Sequence, residues 1–199
     1  QSSQGAKVID ISKEDDKNFR ESYRGGYTYV NPKFQNKDIK KIGQTYDVNS
    51  LYPSVMYNAC LPYEQPIYYE GEYNYNENYP LYIQCIECKF KLKKGYIPTI
   101  QVKNNARFGQ HEYLKESGPE PVELWLTNID LEIFKEHYNI YMPKYLGGYM
   151  FKGGHNLFKK YIDYWMKAKN VATETGNKGL RQIAKLMLNS LYGKFATNG

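Results

Sequence analysis

The chain has 199 residues, 41% of them hydrophobic, and a formal net charge of +6. A mean hydropathy of −0.74 and the lack of any apolar run near bilayer length exclude a helical membrane span. The length allows one large domain or two small ones with a real core.

The excess charge is confined to the final 43 residues, where eight Lys and Arg stand against two Asp and Glu. A basic stripe with aromatic neighbours suits a polyanion, and equally a solvated helix face. The opening QSSQGAKVIDISKEDDKNF is polar and has no signal-peptide core, which predicts a cytoplasmic setting. Twenty-two tyrosines offer rings for base stacking, although an AT-rich coding sequence also enriches Tyr, Asn and Lys.

Residues 1–22 carry weak structural signals. SYRGGYTYVNPKF, Ser22 to Phe34, follows. Gly25 and Gly26 permit close backbone approach, and Tyr27 to Val30 alternate as a strand would. The combination fits a clamp on a nucleic-acid backbone or an ordinary Gly-Gly hairpin turn.

TYDVNSLYPSVMY, Thr45 to Tyr57, reads as strand, turn and short helix, with Asp47 at the strand end and Pro53 near the first helical turn. A carboxylate beside the backbone groups of a tight turn suits a hard cation such as Mg²⁺.

Residues 63–127 read as β-rich. Two strand candidates flank a Lys94-Gly95 turn, and VELWLT forms another. Cys85 and Cys88 form CIEC inside strand-like LYIQCIECKFKL, where positions three apart face opposite ways. No second ligand pair accompanies them, so reduced structural cysteines are expected rather than zinc ligands.

Thr127 and Asp130 have capping-box spacing before LEIFKEHY, so Asp130 and Glu132 read as helix-start carboxylates and His137 as the helix end. His111 and His155 fall in loops without a ligand pattern. IYMPKYLGGYMFK is strand-like, with a turn predicted at Gly147-Gly148. Asn156 is the predicted cap of an amphipathic helix bearing Leu157, Phe158, Ile162, Trp165 and Met166 on one side. TETGNKG makes a polar tip before GLRQIAKLMLNSLYGKFA, a second helix ended by Gly193.

On that second helix Arg181, Lys185, Asn189 and Tyr192 share a face, leaving Ile183, Met187 and Leu191 to pack on the first. Two cations, an amide and a phenol in series suit the phosphates and base of a nucleotide. An ordinary amphipathic helix fits the same spacing.

Taken together, YDVNSLYPS and KLMLNSLYGKFA resemble motifs A and B of the family B DNA polymerases. Their particular forms resemble the protein-primed branch of small linear-genome bacteriophages and related plasmids. SYRGG matches that branch's Tyr-x-Gly-Gly element, and the roughly hundred-residue interval between the motifs resembles its terminal-protein insertion. The resemblance covers about Tyr23 to Ala196.

It implies an α+β fold: a partial palm sheet over 1–58, a β-rich inserted subdomain over 59–156 that contacts a terminal protein or DNA, and a two-helix fingers hairpin over 157–199. It implies that Asp47 and the Val48 carbonyl bind catalytic Mg²⁺, that Tyr52 excludes a 2′-hydroxyl, and that Lys185 and Tyr192 hold the phosphates and base of a deoxynucleoside triphosphate. Ser50, Asn189, Gly193 and Phe195 would position primer or template. Tyr23, Gly25 and Gly26 would bind the template strand, and Lys169 and Arg181 would contact DNA. Arg181 departs conservatively from the family's usual lysine.

The family's Tyr-x-Asp-Thr-Asp-Ser motif does not occur in this sequence. Nor do its exonuclease carboxylate motifs; Asp10, Asp15 and Asp16 sit in no matching context. The reading is therefore a fragment of a DNA-directed DNA polymerase, phage- or plasmid-encoded and acting in bacterial cytoplasm. These residues alone are expected not to polymerise. The alternative is a non-catalytic DNA- or terminal-protein-binding module.

Overall fold

A computed structural model describes residues 11–196 apart from 104 and 110; Asp10 lies outside them. The architecture is α+β, and packing groups the chain into two units. One joins the segment ending at Val30 to Pro62–Gly153; the other joins Asn31–Leu61 to the segment beginning at Gly154. This grouping differs from the consecutive spans 1–58, 59–156 and 157–199, because the Asp47 segment packs with the helical hairpin that follows far later in sequence.

The first unit begins with helix α1, Lys13–Ser22, where weak structure was expected. Ser12 Oγ accepts from the Asp15 amide at 3.1 Å, and three acidic residues in the first turn and Arg20 in the last complement the helix dipole. Its polarity hides it from a periodicity search. One ring docks it: Phe19 lies 4.7 Å from the Tyr149 ring, while the Tyr149 hydroxyl donates to Asp15 Oδ1 at 2.7 Å.

Strands β1 (Leu61–Tyr69), β2 (Leu81–Leu92) and β3 (Val122–Thr127), helix α3 (Asn128–His137) and strand β4 (Tyr138–Gly154) follow α2, described below. The sheet order is β1-β4-β2-β3, with β2 antiparallel to both β3 and β4. Alternation sets its core: Ile86, Cys88 and Phe90 on β2 and Val122, Leu124 and Leu126 on β3 meet Leu131 and Phe134 of α3. Thr127 caps α3 as expected, accepting from the Asp130 amide at 3.2 Å.

Cys85 and Cys88 are free and buried, and Cys88 belongs to this core whereas Cys85 does not. Burial pushes both thiols up to about 12.

Gly147 and Gly148 do not turn the chain; they lie within β4. A Cβ on Gly148 would meet the Ile83 carbonyl at 1.9 Å, and one on Gly147 the Tyr69 carbonyl at 2.6 Å. The glycines admit close backbone approach. Beside them buried Gln84 donates to the Gly71 and Gly147 carbonyls, each at 2.9 Å, and accepts from the Tyr69 hydroxyl at 3.1 Å.

The second strand after Gly95 is reduced to an isolated bridge, Ile100 with Leu114. This loop is ordered by the buried Tyr138 hydroxyl, which donates to the Leu114 carbonyl at 2.6 Å and accepts from the Thr99 amide at 2.9 Å. Tyr27–Val30 is likewise not a strand, since no described segment pairs with it.

The second unit holds helices α2 (Leu51–Asn58), α4 (Lys159–Glu174) and α5 (Lys178–Gly193). Residues 42–48 are irregular rather than a strand ending at Asp47, because no described segment pairs with them. Asn156 adopts φ 60° and does not cap α4, which starts at Lys159 behind Phe158.

Asn177 caps α5, accepting from the Leu180 amide at 3.0 Å. The seam between α4 and α5 also differs from expectation. Ala184 and Leu188 are buried, whereas Ile183 is 53% exposed. Met56, Ile162 and Leu188 form the core, with Trp165, Met166 and Leu191 against it. Residues 184, 188 and 191 keep one helical face; residue 183 sits about 100° from 184.

Candidate functional site

In the second unit, α2 is set by a tight turn. Ser50 takes the left-handed conformation, φ 53° and ψ 44°, and its carbonyl accepts from the Ser54 amide at 3.0 Å. Pro53 is fully buried, fixing the helix and leaving Tyr52 outward on its rim. Tyr52 meets Tyr192 of α5 face to face, with centroids 4.5 Å apart and planes 15° from parallel. The two motif stretches thus touch directly.

A third element joins them. Lys169 Nζ on α4 donates to Asn49 Oδ1 at 3.0 Å and Ser50 Oγ at 3.1 Å. The Lys169 cation stands near the N-terminal end of α2, where the dipole disfavours it, and these two oxygens offset that cost. Arg181, Lys185 and Asn189 line the solvent face of α5 as expected. No described group pairs with the side chains of Arg181 and Lys185.

Gly193 is the last residue of α5, and a Cβ there would touch nothing. Phe195 stands edge-on to Phe158 at 5.4 Å.

Asp47 is exposed, as is Val48. Among the described residues no group of three His, Cys, Asp or Glu side chains could hold a metal ion. Mg²⁺ demands six oxygen donors in near-octahedral geometry, several of them commonly water. A single carboxylate with a carbonyl does not fit a two-ion site.

The first unit carries the Tyr-Arg-Gly-Gly segment, which is irregular backbone rather than the turn expected there. Sequence reading passed over what anchors it. The Arg24 guanidinium reaches the Thr99 and Gln101 carbonyls at 3.4 Å each, and its Nε stands 3.5 Å from Asp130 Oδ2. Burial lowers the Arg24 pKa and the Asp130 carboxylate opposes that shift.

Lys103 Nζ donates to the Tyr23 carbonyl and lies 5.7 Å from the Tyr23 ring. The Tyr27 hydroxyl donates to the Pro98 carbonyl at 2.8 Å, and burial raises its pKa to about 12.

A cleft of about 560 Å³ opens beside this segment, bordered by Gly25, Gly26, Gln101, Lys103, His111 and Tyr113. Neither Gly25 nor Gly26 has positive φ, and a Cβ on either meets nothing within 4 Å. Nothing in the backbone conformation itself requires glycine there. Of the cleft residues only Gly25 and Gly26 were singled out by motif; Lys103 and Tyr113 come from a loop without periodicity.

A family described as DNA polymerase type B, organellar and viral, matches residues 4–199. The chain is 55% identical to the DNA polymerase of Bacillus phage Nf over 183 residues, covering 92% of this chain and 31% of that protein. It is 52% identical to the Bacillus phage phi29 DNA polymerase, with the same coverage of each. It is 36% identical to the Streptococcus phage Cp-1 enzyme, covering 82% of this chain and 29% of that one.

The fold is similar to phi29 DNA polymerase complexed with primer-template DNA and incoming nucleotide. The TM-score is 0.85 at 51% identity, over 94% of this chain and 32% of that one. The same polymerase complexed with single-stranded DNA gives a TM-score of 0.81 at 49% identity, over 94% and 31% of the two chains. This chain therefore spans about a third of the length of these relatives.

Proposed function

The chain belongs to the organellar and viral type B DNA polymerases, and we propose from that premise that it supplies the nucleotide-handling face and a template contact of a protein-primed DNA polymerase. The Tyr52–Tyr192 stack carries this reading, because it brings motif A and motif B together on one surface. An incoming deoxynucleotide would set its sugar against Tyr52 and its base against Tyr192. Lys185 would meet the phosphates, with Lys169, Arg181 and Asn189 beside it.

Ser50, Gly193 and Phe195 would border the primer or template. Tyr23, Gly25 and Gly26 would grip the template backbone in the first unit. In polymerase terms 1–58 is partial palm, 59–156 the insertion facing a terminal protein, and 157–199 the fingers.

Asp47 and the Val48 carbonyl would give one share of a Mg²⁺ site. The setting proposed is bacterial cytoplasm; no helix among the described residues is long and apolar enough to cross a membrane.

Nucleotidyl transfer belongs, in this reading, to the full-length polymerase, while these residues bind without extending. Purified chain with Mg²⁺, primer-template and deoxynucleotides is expected to yield no extended primer. At low salt Lys185→Ala and Lys169→Ala are each expected to weaken nucleotide binding by roughly tenfold, the scale of one charge-assisted contact. Extension by the chain alone, or unchanged binding by both variants, would overturn the proposal.

A further inference from the structure

A second depression in the first unit, of about 500 Å³, lies away from the glycine cleft. It is lined by Lys91, Lys94 and Lys115, with the rings of Tyr29 and Tyr96 at its sides. No hydrogen bond or ion pair among the described residues engages these three amines. Lys93, in the same wall, is committed: its amine donates to the Lys135 and Glu136 carbonyls at 3.2 and 2.8 Å, at the C-terminal end of α3. One carboxylate, Glu116, borders the depression.

Three rings connect the two concavities. Tyr113, which borders the glycine cleft, lies 4.8 Å from Tyr27. Tyr27 in turn stacks on Tyr29 at 6.1 Å and 20°, and Tyr29 borders the lysine depression. Tyr27 and Tyr29 are each more than 40% exposed. A row of exposed and half-buried rings ending at unpaired cations is how sequence-tolerant single-strand sites are built, with bases on the rings and phosphates at the amines.

We infer that Lys91, Lys94 and Lys115, reached along Tyr113, Tyr27 and Tyr29, form a second contact site for the phosphodiester backbone of a single-stranded polynucleotide. It extends the strand path beyond the Gly25–Gly26 segment, and it rests on the proposal that this segment grips such a strand. An acidic protein surface would satisfy the lysines but leave the rings without a role, so the polynucleotide is favoured.

The test is anisotropy titration of the full chain with a labelled single-stranded 20-mer across a salt series. Lys91→Gln, Lys94→Gln and Lys115→Gln combined should weaken binding roughly tenfold at low salt. The slope of log affinity against log salt should fall by about 2, at about 0.7 per phosphate for single strands. Tyr29→Ala should weaken binding roughly tenfold through lost stacking, while leaving the salt slope unchanged.

An unaltered affinity and slope in the triple variant overturns the inference, even where Gly25→Ala or Gly26→Ala weakens binding severalfold and so upholds the Gly25–Gly26 contact. Equal competition by polyglutamate, with no effect of Tyr29→Ala, also overturns it and identifies an acidic protein surface. Equal loss for a duplex of the same length overturns the single-strand assignment. The lysines are on the surface, and the circular dichroism spectrum of the triple variant is expected to match that of the unsubstituted chain.

Discussion

Tyr52 and Tyr192 lie ring on ring, 4.5 Å between centroids and 15° from parallel, joining a helix that follows Asp47 to the end of the helix that carries Lys185. Such a pair is worth about 0.5–1.5 kcal/mol beyond area burial. In denaturant titrations, Tyr52→Ala and Tyr192→Ala should show a coupling of that size in a double-mutant cycle. Additive effects would mean that the rings adjoin without stabilising one another.

Gly25 and Gly148 answer to different demands. At Gly25, as at Gly26, an added Cβ meets open space, so Gly25→Ala and Gly26→Ala should alter stability by less than about 0.5 kcal/mol. The same changes should weaken single-strand binding severalfold, if it is the strand that needs the bare backbone. Gly148→Ala forces a methyl against the Ile83 carbonyl and should prevent the sheet from folding, read as loss of a cooperative melting transition.

Arg24 offers a test of what holds the Gly25–Gly26 segment in place. Asp130→Asn keeps the α3 cap, which uses the Asp130 backbone amide, but removes the charge opposite a buried guanidinium. A cost of about 1–3 kcal/mol is expected from leaving that cation less compensated. Arg24→Met in the Asp130→Asn background should recover part of it. A neutral Asp130→Asn would show that the Thr99 and Gln101 carbonyls suffice.

The pH dependence of α1 docking follows from Asp15. Hydrogen bonds from Ser12 and then Tyr149 hold its carboxyl below the ordinary aspartate value. A folded pKa below the unfolded one contributes stability that is complete above the unfolded pKa, about 3.9. That stability is lost as pH falls through the folded value. Tyr149→Phe should therefore flatten the acid limb of the stability–pH curve below about pH 4 and leave it unchanged at neutral pH apart from a constant offset. An identical acid limb in the variant would remove Tyr149 from the account.

Cys85 and Cys88 resist ionisation because burial favours the thiol, whereas Cys60 is only half-buried. Iodoacetamide at pH 8 should alkylate Cys60 first, by mass spectrometry of native protein. Prompt modification of Cys88 would contradict its place in the core.

Local chemistry was the legible part of this chain. Asp47, Tyr52, Lys185 and Tyr192 stand in short stretches whose residue order is itself informative, and Thr127 announced its helix through a cap. The strand carrying CIEC showed its alternation.

What escaped reading depends on partners distant in sequence. Helix α1 is polar and is held by Phe19 against Tyr149. Tyr27–Val30 has strand residues and no strand to pair with. Gly147 and Gly148 look like a turn until Tyr69 and Ile83 are seen beside them. The link from Arg24 to Asp130 has no signature in either local stretch, and the α4–α5 seam runs through Ala184, one position from the more apolar Ile183.

Discrimination at the sugar is the most direct measure of the central proposal. Two-dimensional NMR can follow the Tyr52 and Tyr192 ring resonances while deoxy- and ribonucleoside triphosphates are titrated into the chain. Saturable shifts are expected at both rings with the deoxynucleotide, with weaker binding of the ribonucleotide and loss of that difference in Tyr52→Val. Ring resonances that stay fixed at millimolar nucleotide, or a Tyr52→Val variant that discriminates as the wild type does, would contradict it.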